Sequence, residues 1–155
     1  MRAVLLLTMM VAAHGAESVF GIWKVDTTRS TPKGGIPMAT TVRIDPHAKG
    51  EVFTLDRIEA DGRSISSSTI LYFDGAPHDF QDSRCSGTQS SRRLDSRTIE
   101  IARTCASGGS STIVRRLAAT SKELTFDITD HHPDGRTFEQ RLVLEKQSCG
   151  RNDPN

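Results

Sequence analysis

The sequence is short of aromatic residues, of cysteines and of net charge, and each shortage removes a class of function. Its aromatics are six Phe, one Trp (Trp23) and one Tyr (Tyr72), too few for the stacking platform of a sugar or single-stranded nucleic acid binder. Twenty Lys and Arg stand against nineteen Asp and Glu, so neither a nucleic-acid surface nor an electrostatic membrane binder is expected. Arg outnumbers Lys fifteen to five, which keeps individual guanidinium contacts in view. Three cysteines, Cys85, Cys105 and Cys149, form no CxxC or CxxxC spacing, so a zinc or redox dithiol has no basis. No Gly-x-Ser-x-Gly elbow, HExxH or P-loop occurs, and Asp79, Asp82 and Asp127 are scattered with no reason to pair for acid–base work. An enzyme is therefore not expected. Neither is a metal site or a cofactor: His131 and His132 point to opposite faces of a strand, and His47 and His78 fall near turns.

One apolar run is present, at the N-terminus. Met1-Arg2 precedes AVLLLTMMVAA, and small residues follow at Ala13, Gly15 and Ala16. That is the layout of a secretory signal peptide over residues 1–16, with Ala13-His14-Gly15 as the cleavage region. The run is shorter than the roughly 20 residues that span a bilayer, so no membrane span is expected. Export to a bacterial periplasm or the medium places the cysteines in an oxidising compartment. About 140 residues remain, enough for one domain with a core: residues 17–147, followed by a polar tail over 148–155 (SCGRNDPN).

Period-two alternation dominates that domain. Leu124, Phe126 and Ile128 alternate with Thr125, Asp127 and Thr129, and Ile99 and Ile101 alternate with Thr98, Glu100 and Ala102. This is the pattern of half-buried strands, and thirty-two Ser and Thr residues suit strands and turns better than helices. With turns at Asp61-Gly62, Asp74-Gly75, Gly108-Gly109 and Asp134-Gly135, strands are predicted near 20–26, 38–45, 51–59, 65–74, 87–94, 97–105, 111–118, 123–130 and 137–146. The expected fold is all-β, an antiparallel meander of about eight to ten strands closing into an up-and-down barrel, which removes its edges. A β-sandwich is the alternative.

The segment Gly21-Ile22-Trp23 resembles the Gly-x-Trp start of lipocalins, in which the Trp closes the barrel floor. GIWKVDTTRS, the ADGRS turn, YFDGAPHDF, RRLDSRTIEIAR, IVRRLAATSKELTF and PDGRTFEQRLVLEKQ, covering most of residues 20–147, resemble a group of uncharacterised secreted bacterial proteins with a lipocalin-like barrel. The chain departs from that group at Asp74-Gly75-Ala76, where Asp-Gly-Lys is usual, and at the shortened Ser121-Lys122-Glu123. The resemblance implies a lipocalin-like barrel and a small-molecule pocket.

Candidate ligand-binding residues are Arg103, Arg115, Trp23, Tyr72 and Phe126. If the Gly108-Gly109 turn pairs Arg103 with Ile113 and Ile101 with Arg115, both arginines share the inward apolar face, at about 7 Å diagonal spacing. Asp130 or a bound carboxylate would then satisfy them. Counting outward from residue 95 sets Cys85 opposite Cys105, the pair favoured for a disulfide. The expected function is exported binding of a small apolar or amphiphilic molecule, with any acid group meeting Arg103 or Arg115. The alternative is a rigid interaction module, an inhibitor of a secreted enzyme or an envelope assembly factor. Such a module would take a protein partner through the loop 74–87, with Pro77, His78 and Phe80 as anchors.

Overall fold

The computed structural model describes residues 18–31, 39–82 and 85–148. The expected signal peptide and Cys149 lie outside the described residues. Within them there are ten strands and no helix: β1 (Gly21–Val25), β2 (Ala39–His47), β3 (Gly50–Ile58), β4 (Ser64–Leu71), β5 (His78–Gln81), β6 (Ser86–Arg93), β7 (Thr98–Cys105), β8 (Ser110–Leu117), β9 (Glu123–His131) and β10 (Thr137–Lys146). No helix long and apolar enough to cross a membrane is present among them.

All ten strands form one antiparallel sheet in the order β4-β3-β2-β1-β10-β9-β8-β7-β6-β5. Each strand pairs with its sequence neighbour, except that β1 pairs with β10 and β4 does not pair with β5. The sheet curls into a nearly closed up-and-down barrel whose single seam lies between β4 and β5. At one end of the seam, the amides of Phe73 and Gly75 donate to the Ser91 hydroxyl (3.1 Å) and carbonyl (3.0 Å) on β6. There the edge is capped by the chain itself, which keeps it from templating another strand.

The alternation sends one side chain in two into the barrel. One half is packed solid by Trp23, Ile44, Leu71, Ile99, Leu117, Leu124 and Leu144. Trp23, 0% exposed, donates its indole N–H to the Val19 carbonyl at 2.9 Å and lies under the Lys146 ammonium. It closes this end, as the Gly-x-Trp resemblance implies. Two close backbone approaches, one near each end of the barrel, depend on glycine. A Cβ on Gly50 would sit 1.8 Å from the Leu71 carbonyl oxygen, and one on Gly87 would sit 2.0 Å from that of Thr104.

Two hairpins depart from the expected register, each by two residues. Arg103 faces Ser111, Ile101 faces Ile113 and Ile99 faces Arg115. The turn closes one residue earlier than the Gly-Gly step suggests, because Cys105 N–H bonds the Gly109 carbonyl with Gly108 at φ 93°. In the β6–β7 hairpin Cys105 faces Gly87 rather than Cys85, because the turn is centred one residue later and Leu94 and Asp95 both donate to the Thr98 carbonyl. Cys85 is diagonal to Cys105, and the pair still stands at disulfide distance, with Cα atoms 5.3 Å apart.

The segment 74–87 is not simply a loop. Residues His78–Gln81 form β5, paired with β6, and Phe80 is 6% exposed and turned into the barrel. Phe80 is therefore a wall residue and not an exposed anchor.

Candidate functional site

The inward face changes character halfway along the barrel. Toward the ends joined by the β3–β4, β5–β6, β7–β8 and β9–β10 connections, the inward positions Phe53, Leu55, Ile65, Ile128 and Phe138 are only partly buried. Polar side chains share this half. Gln89 on β6, Arg103 on β7, Ser111 on β8 and Asp130 on β9 are cross-strand neighbours at one level. They form a belt above the solid floor. Gln89 Nε2 donates to Thr69 Oγ1 (3.2 Å) and the Ile70 carbonyl (3.4 Å) on β4, across the seam. Arg103 Nε donates to Gln89 Oε1 at 2.9 Å, and the Ser111 hydroxyl donates to Asp130 Oδ1 at 2.6 Å.

Arg103 is the centre of this half. Its guanidinium lies 4.3 Å over the Phe80 ring, a cation–π contact. Among the described residues its one hydrogen bond is to Gln89, and no carboxylate comes within ion-pair distance. Burial pulls its pKa below the ordinary arginine value, while the charges of Asp82 and then Asp130 act in the opposite direction. A small cavity of about 40 Å³ opens beside it, at the seam. The strand walls supply Phe53, Leu55, Ser67 and Thr69 on one side and Phe80, Asp82 and Arg103 on the other. Asp82 is held in place from below: its Oδ1 accepts the Cys85 amide at 2.8 Å, and Asp82 N–H donates to the Cys85 carbonyl. A second, more open groove of about 280 Å³ runs along the outer surface of β6 and β7 past Gly75, Arg92 and Glu100.

Of the residues expected to line a pocket, only Arg103 lines this cavity. Arg115 is inward-facing as expected but belongs to the other half, four residues further along β8 than the Arg103 partner Ser111. At about 3.3 Å rise per residue that is a separation of about 13 Å along the strand, and not a diagonal pair. Its partner is Glu51 and not Asp130. Arg115 Nη1 donates to Glu51 Oε2 (2.7 Å) and Nη2 to Oε1 (3.2 Å), with Arg115 3% and Glu51 0% exposed. Arg93 adds a third, longer contact to Glu51 at 3.4 Å while covering the Phe73 ring. Trp23 is floor. Phe126 is core, edge-on to Phe53 at 5.9 Å. Tyr72 falls just past β4, stacked on His78 at 4.0 Å with His47 edge-on. Among the described residues no cluster of His, Cys, Asp or Glu has the arrangement of a metal site.

Glu51 and Asp82 were not legible as site residues. Glu51 is in phase with Phe53 and Leu55, and a carboxylate on an apolar alternation is the mark of a buried partner for an inward arginine. Asp82 carries no such mark, because its role depends on a four-residue strand and a cross-link. No protein-family model matches the chain, and no curated protein matches it either.

Proposed function

We propose that this barrel is an exported carrier or sensor of a small amphiphilic acid, held in the half-open end of the barrel with its acid group on Arg103. The observation that supports the reading is Arg103 itself: a partly buried guanidinium without an ion-pair partner among the described residues, beside a cavity, with half-buried apolar residues above it. A desolvated cation favours an anion far more than an exposed one does, and the planar fork matches a carboxylate. The cavity of about 40 Å³ has room for a headgroup and not for a long chain, so the apolar part lies along Leu55 and its neighbours toward the mouth. Export rests on the N-terminal sequence pattern and on the Cys85–Cys105 pair, which suits an oxidising compartment.

The reading as an interaction module draws support from the solid half of the barrel, but its supposed anchor Phe80 is buried. The test is titration calorimetry of the mature protein with straight-chain acids from butyrate to octanoate, alongside native mass spectrometry of protein taken from its host's exported fraction. Binding in one-to-one ratio that falls about 10- to 100-fold in Arg103→Met, the loss of a charged hydrogen-bonding partner, is the expected result. Equal affinity in the variant, or a clean apo mass with no acid bound, refutes it.

A further inference from the structure

We infer that Gln89 sets the specificity of the Arg103 site for an anion, by holding the guanidinium through a neutral oxygen and leaving one defined edge of it to the ligand. This rests on the reading of the mouth half as a ligand site and names the residue that decides its selectivity. Gln89 lies on β6, turned into the barrel and 4% exposed. Its two ends have opposite roles. Nε2 donates to Thr69 Oγ1 (3.2 Å) and to the Ile70 carbonyl (3.4 Å), while Oε1 accepts from Arg103 Nε at 2.9 Å. All three contacts require the same orientation of the amide. Turned over, it would set its NH2 group against the Arg103 donor and its oxygen against the Ile70 carbonyl, and neither contact is a hydrogen bond. A neutral side chain that donates at one end and accepts at the other serves both partners, and an ionised carboxylate, which only accepts, does not.

The consequence for Arg103 is electrostatic. A carboxylate in the place of the amide would pair with the guanidinium and cancel its charge inside the barrel. The amide fixes the same group and leaves the charge in force. Geometry then selects the edge. Nε is taken by Gln89, and one face of the guanidinium lies against the Phe80 ring at 4.3 Å. The end carrying Nη1 and Nη2 is left, and two parallel N–H groups there match the two oxygens of one carboxylate. Thr69 and Arg103 line opposite sides of the cavity, so Gln89 bridges its two walls. The guanidinium is thereby placed before any ligand arrives, which lowers the ordering cost of binding.

The experiment measures the affinity ratio of pentanoate to pentanamide, a neutral ligand of the same shape, by titration calorimetry on the mature protein at neutral pH. The parent is expected to prefer pentanoate about tenfold or more, the effect of a charged hydrogen-bonding partner. In Gln89→Glu the ratio is expected to fall about tenfold or more, to parity or below. In Gln89→Met, which removes the amide's hydrogen bonds and adds no charge, pentanoate is expected to bind more weakly and to remain preferred. A loosened barrel would weaken both ligands together and leave the ratio alone, so the ratio separates specificity from structure. The parental ratio kept in Gln89→Glu overturns the role of Gln89 and leaves the Arg103 site standing. Pentanoate affinity unchanged in Gln89→Met overturns it equally, which decides the matter even if Gln89→Glu does not fold. No preference for pentanoate in the parent, or no binding that depends on Arg103, overturns both readings.

Discussion

Replacing Glu51 by Gln isolates the most heavily buried charge in the barrel. Glu51 has no exposed surface and accepts both arms of Arg115, itself 3% exposed. The amide keeps the size of the carboxylate, so packing is barely touched, but Arg115 is left as a buried cation facing a neutral group. Removing one member of a buried pair costs about 3–5 kcal/mol. Arg93, whose side chain is half in solvent, cannot compensate, because it carries the same charge as Arg115. For a domain of this size roughly 3–4 °C of melting temperature follows each kcal/mol, so Glu51→Gln should melt about 10–20 °C lower. Urea unfolding followed by the fluorescence of Trp23, the only tryptophan, reads the change directly. The partner experiment is the double variant Glu51→Leu with Arg115→Met. Removing both charges together is often neutral or stabilising, so the double variant should recover most of what either single change loses. A Glu51→Gln variant within about 1 kcal/mol of the parent, or a double variant as unstable as the two singles summed, refutes the pairing.

Other perturbations have equally definite outcomes. Changing Cys85 and Cys105 to Ser opens a loop of 20 residues and should cost about 3 kcal/mol, read as a lower urea midpoint that added reductant no longer shifts. Gly50→Ala forces a Cβ to 1.8 Å from the Leu71 carbonyl oxygen and should cost about 2 kcal/mol or more, measured as a fall in melting temperature. Asp74, held below its ordinary pKa by the His78 side chain and the Ala76 amide, and Asp26, held low by Thr28, are charged more readily folded than unfolded. Their contribution is therefore present above the unfolded value of 3.8 and is lost as pH falls below it. Urea midpoints should thus hold level toward pH 5 and drop below about pH 4, with a shallower drop in Asp74→Asn.

Faces were legible in this sequence and registers were not, for one geometric reason. Misplacing a hairpin's turn by one residue moves every cross-strand partner by two, and two residues is the side-chain period of a strand. Ile99, Ile101 and Arg103 were therefore assigned correctly to the inner face with Ile113, Arg115 and Leu117, although each was given the wrong partner. The same error put two arginines side by side that stand at opposite halves of the barrel. The diagonal cysteine pair survived it, because a disulfide tolerates a range of Cα separations around the 5.3 Å found here. β5 was invisible for a different reason. His78-Asp79-Phe80-Gln81 offers a single buried apolar residue, and no alternation exists in one point. With that strand went the inward turn of Phe80 and the place of Asp82 in the cavity wall.

The seam between β4 and β5 also says how the chain could be rewired. Strands adjacent in sequence are paired everywhere else, whereas the first and last strands are joined by the longest-range pairing in the molecule. The chain ends of the described barrel already touch: Gln147 N–H bonds the Ile22 carbonyl and the Lys146 ammonium bonds that of Ser18. A circular permutant that links those ends and begins between Asp74 and Pro77 would read β5 through β10 and then β1 through β4. Every pairing would then be a local hairpin or a short connection. Chains with local contacts fold faster at similar stability, so the permutant should reach the same barrel sooner than the parent order of strands does.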